Sequence, residues 1–136
     1  MKILFVGSNP SQRSNSIEAF WTDTKSYSVL SNWKSNIIFS DKTTFHYANS
    51  YNLVTPNNRP LKVSEIRAGS SQLMAHLENI KPTHIVALGK TAAKALLMIG
   101  VDFYEMPHPS PLNRKLNDKS FIEEKIKGLQ SYLNPL

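Results

Sequence analysis

"THIVALGKTAAKALLMIG", residues 83–100, joins an apolar run to a helix-forming segment through a glycine. The run "THIVALG" (83–89) is short and rich in branched residues, which is typical of a buried strand rather than a helix. The segment "KTAAKALLMIG" (90–100) predicts a short helix, and Gly100 stands where helices commonly have their C-terminal cap. A buried strand followed directly by a helix is the unit from which parallel sheets are built.

The same alternation continues on both sides of this stretch. Further strands are predicted in "KILFV" (2–6), in "FHYANSYNLVT" (45–55) before it turns into a loop, and in "VDFYEM" (101–106). Amphipathic helices are predicted over 26–39, 63–80 and 120–133. Continuous apolar strands between such helices indicate a parallel sheet that is covered on both faces.

Two helix starts have side chains that could cap them. Ser64 is the predicted N-cap of the helix over 63–80. In the helix over 120–133, Ser120 and Glu123 have the spacing of a capping box, in which each side chain accepts from the other residue's backbone amide.

Composition narrows the classes of function. The chain has 136 residues, enough for one domain with a real core over 1–136, and its 40% hydrophobic and 19% charged residues fit a soluble globular protein. The absence of cysteine excludes disulfides, thiolate metal sites and iron–sulfur clusters. No apolar run is long enough to cross a bilayer, and "MKILFVG" is too short for a signal-peptide core. We therefore expect a cytoplasmic protein with no membrane contact.

The net charge of +6 favours a polyanionic partner. Lysine and arginine are spread along the chain without forming a basic tail. Many small basic proteins bind nothing in particular, so the charge alone does not decide between nucleic acid and no partner.

Four loops of unusual composition follow the predicted strands. They are "GSNPS", "NLVTPNNR", "GKT" and "HPSPLN". Ligands of parallel α/β sheets bind outside the carboxyl ends of the strands. The sequence therefore predicts that these four loops meet at one rim of the sheet.

The tripeptide "GKT" (89–91) does not complete a P-loop. That motif needs a glycine five residues before its Gly-Lys pair, and position 84 is His. Two interpretations stay open. Lys90 and Thr91 at a helix N-terminus could hold one phosphate, or the tripeptide could be an ordinary turn from strand to helix.

The segment "MPHPSPLNRK" (106–115) places one histidine inside a proline-stiffened loop. A rigidly held imidazole, here that of His108, suits donation of a hydrogen bond to a developing anion. The other histidines, His46, His76 and His84, lack the spacing of a metal site, and we expect no bound metal.

These loops carry a resemblance to a known family. "GSNPS" (7–11) and "HPSPLN" (108–113) resemble the two signature motifs of the uracil-DNA glycosylase superfamily, in the right order and at a similar separation. "NLVTPNNRP" (52–60) and "PTHIVALGKTAAKALL" (82–97) are similar to the middle blocks of its iron–sulfur branch. The resemblance covers roughly residues 1–116.

The resemblance implies a fold and an activity. The fold would be a three-layer α/β/α domain with a central, mainly parallel four-stranded sheet. The activity would be hydrolysis of the N-glycosidic bond of uracil, or of a related damaged or modified base, flipped out of single- or double-stranded DNA. A monofunctional enzyme of this kind leaves an abasic site and uses no lysine Schiff base. No cofactor is implied, because the cysteines of the iron–sulfur branch are absent.

It also implies roles for individual residues at the base. His108 matches the histidine that stabilises the departing base, and Asn9 matches the position that orients water, although an amide cannot serve as a general base. Asn52 matches the asparagine that reads the base edge. Either Phe20 or Trp21 is the candidate for the aromatic ring that stacks on the base.

Further residues would contact DNA around the flipped nucleotide. Leu112 matches the apolar wedge that enters the gap in the base stack. Contacts to flanking phosphates are implied or expected for Ser110, Arg114, Lys115, Lys90 and Thr91.

Three functions stay open on these grounds. The leading one is a monomeric DNA glycosylase with DNA as its partner. The second is a catalytically weak or inactive module of the same fold that binds a base, a nucleotide or DNA. The third is a hydrolase that acts on free nucleosides or other N-glycosides.

Overall fold

The computed structural model of the chain describes residues 1–8, 25–40, 42–51, 59–109 and 113–134. These residues form a four-stranded sheet with helices on both faces. The strands are β1 (Lys2–Gly7), β2 (Thr44–Asn49), β3 (His84–Leu88) and β4 (Tyr104–Met106). The α-helices are α1 (Lys25–Ser35), α2 (Val63–Ile80), α3 (Lys90–Ile99) and α4 (Lys119–Leu133). A short 3-10 helix, Arg114–Asn117, precedes α4.

The strands lie in the order β2-β1-β3-β4, and every neighbouring pair is parallel. The register brings Gly7 opposite Asn49, and Leu88 opposite Met106. The carboxyl ends of all four strands therefore lie along one rim. This arrangement confirms the α/β fold and the parallel four-stranded sheet predicted from the sequence.

Alternate residues of the strands point into two separate apolar layers. On one face, Phe5 and Val86 pack with the buried side chains of α1 and α4, among them Trp33 and Leu129. On the other face, the buried residues come from β1, β2, β3, α2 and α3; they are Leu4, Val6, Ala48, Ile66, Leu73, Ile85, Ala87, Ala92, Ala93, Ala95 and Leu96. The sheet is thus buried on both sides, which explains why its strands are continuously apolar.

The helix ends agree only in part with the sequence prediction. Gly100 is the left-handed C-terminal cap of α3, as predicted. Ser64 is not the N-cap of α2. Instead Lys62 occupies that position, and its backbone amide donates to Oε1 of Glu65 at 2.8 Å.

The predicted capping box of the last helix is also wrong. The N-cap of α4 is Asp118, whose carboxylate accepts from the backbone amide of Phe121 at 3.1 Å, so Ser120 already lies inside the helix. Asp and Ser are both good N-caps, and the helix begins at the earlier one.

Among the helices of the described ranges, none combines the length and the apolar composition needed to cross a bilayer.

Candidate functional site

Hydrogen bonds connect the segments that follow neighbouring strands at the carboxyl rim. Ser50, just after β2, donates from both its amide and its hydroxyl to the carbonyl of Gly7, at 2.9 Å and 2.8 Å. The amide of Tyr51 donates to the carbonyl of Ser8 at 3.0 Å. On the other half of the sheet, the amide of Gly89 donates to the carbonyl of Met106 at 2.9 Å. The carboxyl ends of the four strands thus meet at one rim, as predicted. Most of the loop "NLVTPNNR" lies outside the described ranges, so its place at this rim stays a prediction.

The strand order also locates the crevice between these loops. The chain passes from β1 outward to β2, and then returns to β3 on the opposite side of β1. The rim between β1 and β3 is therefore the topological switch point, where parallel sheets open a cleft for ligands. Asn49 ends β2, which lies next to β1 on one side of this point, and His108 follows β4, which lies next to β3 on the other side.

His108 lies directly against Gly89. A Cβ built on Gly89 would lie 3.1 Å from Cβ and 3.4 Å from Cδ2 of the histidine. Gly89 has φ 97° and ψ 172°, a conformation that is essentially restricted to glycine. The turn between β3 and α3 therefore has the residue that allows the histidine loop to approach its backbone.

Asn113 fastens the other end of this loop. Its Nδ2 donates to the carbonyl of His108 at 3.0 Å, while its Oδ1 accepts from the amide of Lys115 at 3.1 Å. Asn113 is also the N-cap of the 3-10 helix. One side chain thus bridges the histidine and the helix that leads into α4. Asn113 belongs to the motif "HPSPLN", but no role for it is predicted from the sequence.

His108 is half-buried, between the buried prolines Pro107 and Pro109. Burial lowers the pKa of the His108 imidazole below its ordinary value of 6.5, because the protein replaces part of the water that would stabilise the cation. At neutral pH the ring is therefore uncharged, with one nitrogen as donor and the other as acceptor.

A pocket of about 350 Å³ opens beside the histidine. Its lining residues come from the loops after β3 and β4, from β4 itself and from α4; they are Gly89, Lys90, Glu105, Pro107, His108, Asn113, Lys115, Phe121 and Lys125. The structure thus brings together three predicted site residues, namely His108, Lys90 and Lys115. Lys125, Phe121 and Glu105 were not among the predicted residues.

Two other predicted residues lie nearby but outside the lining of this pocket. Thr91 is half-buried in the first turn of α3, and Arg114 is exposed at the start of the 3-10 helix. The remaining predicted residues lie outside the described ranges: Asn9, Phe20, Trp21, Asn52, Ser110 and Leu112.

Asn49 is a polar residue at the rim that the sequence analysis missed. It is the last residue of β2, and only 5% of its surface is exposed. Its Oδ1 is buried, and among the described residues no donor lies within hydrogen-bond distance of it. A buried acceptor without a donor costs about 1–3 kcal/mol, which a ligand N–H could recover. The stretch "YANSYN" contains this asparagine, but its place at the rim becomes clear only when the end of β2 is known.

The described residues contain no group of three or more His, Asp or Glu side chains arranged to hold a metal ion. Two of the other histidines have hydrogen-bond partners that are close in sequence. Nε2 of His46 lies 3.1 Å from Oγ1 of Thr44, and Nδ1 of His84 lies 3.0 Å from Oγ1 of Thr83. These contacts give both histidines a structural role.

A parallel sheet with an uncharged histidine and several lysines along its carboxyl rim defines an α/β protein suited to anionic ligands that bind at the switch point. The comparison with protein families makes this more specific. The model of the uracil DNA glycosylase superfamily matches residues 1–130, and the chain belongs to this superfamily. Among curated proteins, no sequence was found that matches the chain.

Proposed function

We propose that the protein is a monofunctional DNA glycosylase that removes uracil, or a related damaged or modified base, and leaves an abasic site. Membership of the superfamily supports a glycosylase acting on DNA. The observation that carries the proposal is the position of His108. Its side chain packs against Gly89 and its backbone carbonyl accepts from Asn113, and burial lowers the pKa of the ring, which favours the uncharged form.

The reaction needs a donor for the departing base. As the N-glycosidic bond breaks, the bonding electrons move into the base, and the sugar acquires oxocarbenium character. Water adds its hydroxyl to the sugar carbon, and its other proton goes to solvent or to the released base. The N–H of neutral His108 donates to the carbonyl oxygen on which negative charge develops. Such a preorganised donor contributes about 10²–10³-fold to the rate.

Base selection is assigned to Asn49, on the opposite side of the cleft. Its buried Oδ1 offers an acceptor, which suits a ring N–H such as that of uracil, and an amide NH₂ beside it can donate to a neighbouring carbonyl. Cytosine has an acceptor where uracil has this N–H, so the oxygen of the amide would repel it. Asn52 remains the alternative reader that the family motif implies.

The other predicted residues keep their assignments as part of this proposal. Asn9 orients the attacking water, Phe20 or Trp21 stacks on the base, and Leu112 fills the gap in the base stack. Lys90, Thr91, Ser110, Arg114 and Lys115 contact phosphates of the DNA backbone. The positions of Lys90 and Lys115 beside His108 support this part of the proposal.

The experiment uses an end-labelled oligonucleotide with one uracil, in single-stranded and duplex form. Incubation with the protein followed by hot alkali should cut the strand at the uracil. His108→Ala should lower the single-turnover rate by about 10²–10³-fold. A panel of modified bases in the same sequence identifies the preferred base. Absence of cleavage for the whole panel at excess protein would contradict the proposal and leave a binding module.

The two asparagines are separated by paired variants. Asn49→Ala should lower excision of uracil strongly, and Asn49→Asp should lower discrimination against cytosine because a carboxylate offers no donor. If Asn49→Ala retains full activity while Asn52→Ala loses it, the base-reading role belongs to Asn52.

A further inference from the structure

The pocket beside His108 is lined by residues of the edge strand β4 and of the first turns of α4, in addition to the loops after β3 and β4. Strand β4 lies on the side of β3 that faces away from the β1/β3 switch point. We propose that this pocket binds a second nucleotide of the DNA strand, next to the flipped one, through its phosphodiester group. This inference rests on the proposed action on DNA but not on catalysis. In addition to Lys90 and Lys115, it involves Lys125, Glu105 and Phe121.

Three lysines from three different elements converge on the pocket. Lys90 begins α3, Lys115 lies in the 3-10 helix, and Lys125 lies in the second turn of α4. The only ion pair between described residues joins Arg59 to Glu65, far along the chain from this pocket. None of the three ammonium groups therefore has a carboxylate of the described residues within 4 Å.

Lys125 is held at the pocket by aromatic rings. Its Nζ lies 5.7 Å from the ring centroid of Tyr104 and 6.0 Å from that of Phe121. The Tyr104 hydroxyl donates to the backbone carbonyl of Lys125 at 3.0 Å, and Gly128 leaves the space that this hydroxyl occupies. The lysine backbone is thus fixed against β4. A positioned cation loses less conformational freedom on binding than a freely moving surface lysine does.

Glu105 lowers the positive charge of the pocket. Its carboxylate lines the same pocket as the three lysines, so the charge there is positive but partly offset. A phosphodiester carries a single negative charge, whereas a phosphate monoester carries about −1.5 to −2 at neutral pH. Repulsion from the carboxylate penalises the monoester more. The three lysines still leave the pocket net positive, so Glu105 reduces, without reversing, the extra attraction that a doubly charged phosphate has over a phosphodiester.

Phe121 gives the pocket an apolar side. The ring is half-buried, so part of it faces the opening. Aromatic rings beside lysines are the usual means of binding unpaired nucleotides, since every base has a face that can stack. A volume of about 350 Å³ accommodates one nucleotide rather than several. We therefore infer that the pocket takes one unpaired nucleotide, with its phosphate on the lysines and its base against Phe121.

The test measures binding of an oligonucleotide that contains no uracil or other target base, so that catalysis plays no part. Fluorescence anisotropy of a labelled single strand is recorded over a range of KCl concentrations. Lys125→Gln should weaken binding and reduce the slope of log K against log salt by about 0.7. Lys127→Gln is the matched control, because Lys127 lies on the same helix but lines the groove between α1 and α4. Lys127→Gln should change the slope less than Lys125→Gln does.

Two further variants probe the chemistry of the pocket. Glu105→Gln should tighten binding of the strand and should also make inorganic phosphate a better competitor. Partial unfolding would weaken binding, so tighter binding by Glu105→Gln cannot result from a loss of folding. Phe121→Leu, which keeps an apolar side chain but removes the ring, should weaken single-strand binding by about fivefold or more.

The outcomes separate this inference from the proposed function. Equal salt slopes for Lys125→Gln and Lys127→Gln would overturn the pocket assignment, even if the protein excises uracil. A changed slope in Lys125→Gln supports the assignment, even if no base is excised. Inorganic phosphate that displaces the strand from wild-type protein as readily as from Glu105→Gln would overturn the role given to Glu105 in this pocket.

Discussion

Gly89 and His108 pack against each other without an intervening side chain, so that a Cβ on the glycine would lie 3.1 Å from Cβ of the histidine. The two residues belong to neighbouring loops, one after β3 and one after β4. Their contact is accompanied by the hydrogen bond from the amide of Gly89 to the carbonyl of Met106 at 2.9 Å. The position of His108, the proposed donor to the departing base, thus depends on the absence of a side chain at Gly89 in the neighbouring loop.

Replacing Gly89 with alanine should therefore lower both stability and activity. The backbone at φ 97° and ψ 172° costs a residue with a side chain about 1–3 kcal/mol. The added methyl group would also require His108 to shift by a few tenths of an ångström, so the rate should fall, but by less than the roughly 10²-fold that a displacement of about 1 Å causes. The measurements are the free energy of unfolding in urea and the single-turnover rate of excision.

Gly100→Ala is the matched control for this prediction. Gly100 also has a positive φ, 74°, but a Cβ there would have nothing within 4 Å. It should lose about 1 kcal/mol of stability and retain the excision rate of the folded protein. If both variants keep the wild-type rate, the contact between Gly89 and His108 has no role in positioning the histidine.

The rim could be predicted from the sequence because it depends on local patterns. The apolar runs and the amphipathic helices fix the alternation of strand and helix, and parallel strands necessarily end at a common edge. The loops at Gly7, Gly89 and His108 were therefore placed together without knowledge of any contact.

The features that could not be predicted from the sequence depend on contacts between residues that are distant in the chain. Lys62 caps α2 because the Glu65 carboxylate is held by Arg59, which no local pattern of serine and glutamate indicates. Asn49 became visible only when its pairing with Gly7 showed where β2 ends. Lys125 reaches the histidine pocket because α4 packs beside β4, and its position in the chain gives no sign of this.

The bridge formed by Asn113 should be required for activity more than for folding. Asn113→Asp keeps the acceptor for the amide of Lys115 but loses the donor to the carbonyl of His108. Since Asp is a good N-cap, we expect little loss of stability and a rate lowered by about 10- to 100-fold. Thermal unfolding and single-turnover excision are the two measurements.

Asn113→Ala controls for the charge that aspartate introduces. It should lower the rate by a similar factor, because the donor to His108 is lost without any added charge. It should also lower the free energy of unfolding by about 1 kcal/mol, since the cap is lost as well. A rate in Asn113→Ala equal to that of the wild type would show that the bridge is not needed.

The lowered pKa of His108 predicts how rate and stability respond to acid. Because burial lowers the pKa of His108 below 6.5, the midpoint of the fall in excision rate that protonation of the ring causes should lie below pH 6.5. The unfolded chain takes up a proton near pH 6.5 that the folded chain does not. Acidification below that pH should therefore reduce the free energy of unfolding through His108.

An NMR titration of the histidine rings tests this directly, with the His108→Gln variant used to assign the resonance. The His108 signal should titrate at a pH below 6.5. A midpoint at or above 6.5 would contradict the lowered pKa of His108, and a midpoint above the pH of the assay would mean that the imidazole is charged when it meets the base.

The pair formed by Arg59 and Glu65 predicts a separate loss of stability in stronger acid. Both guanidinium nitrogens of Arg59 bond to the carboxylate, at 2.7 Å and 2.9 Å, and the amide of Lys62 donates to the same group. The hydrogen bond from Arg59, followed by that from Lys62, lowers the pKa of Glu65 to about 2 from an ordinary value of 4.5. The pair therefore stabilises the fold fully above pH 4.5, and this contribution disappears as the pH falls toward 2.

Glu65→Gln removes the charge but keeps an oxygen that can cap the helix. At pH 7 the variant should be less stable than the wild type in urea unfolding, and the difference should shrink steadily between pH 4.5 and 2. Glu78→Gln, on the exposed side of the same helix, controls for the loss of a carboxylate from α2. A difference between wild type and Glu65→Gln that stays constant down to pH 2 would mean that the stabilisation comes from the shape of the side chain and not from its charge.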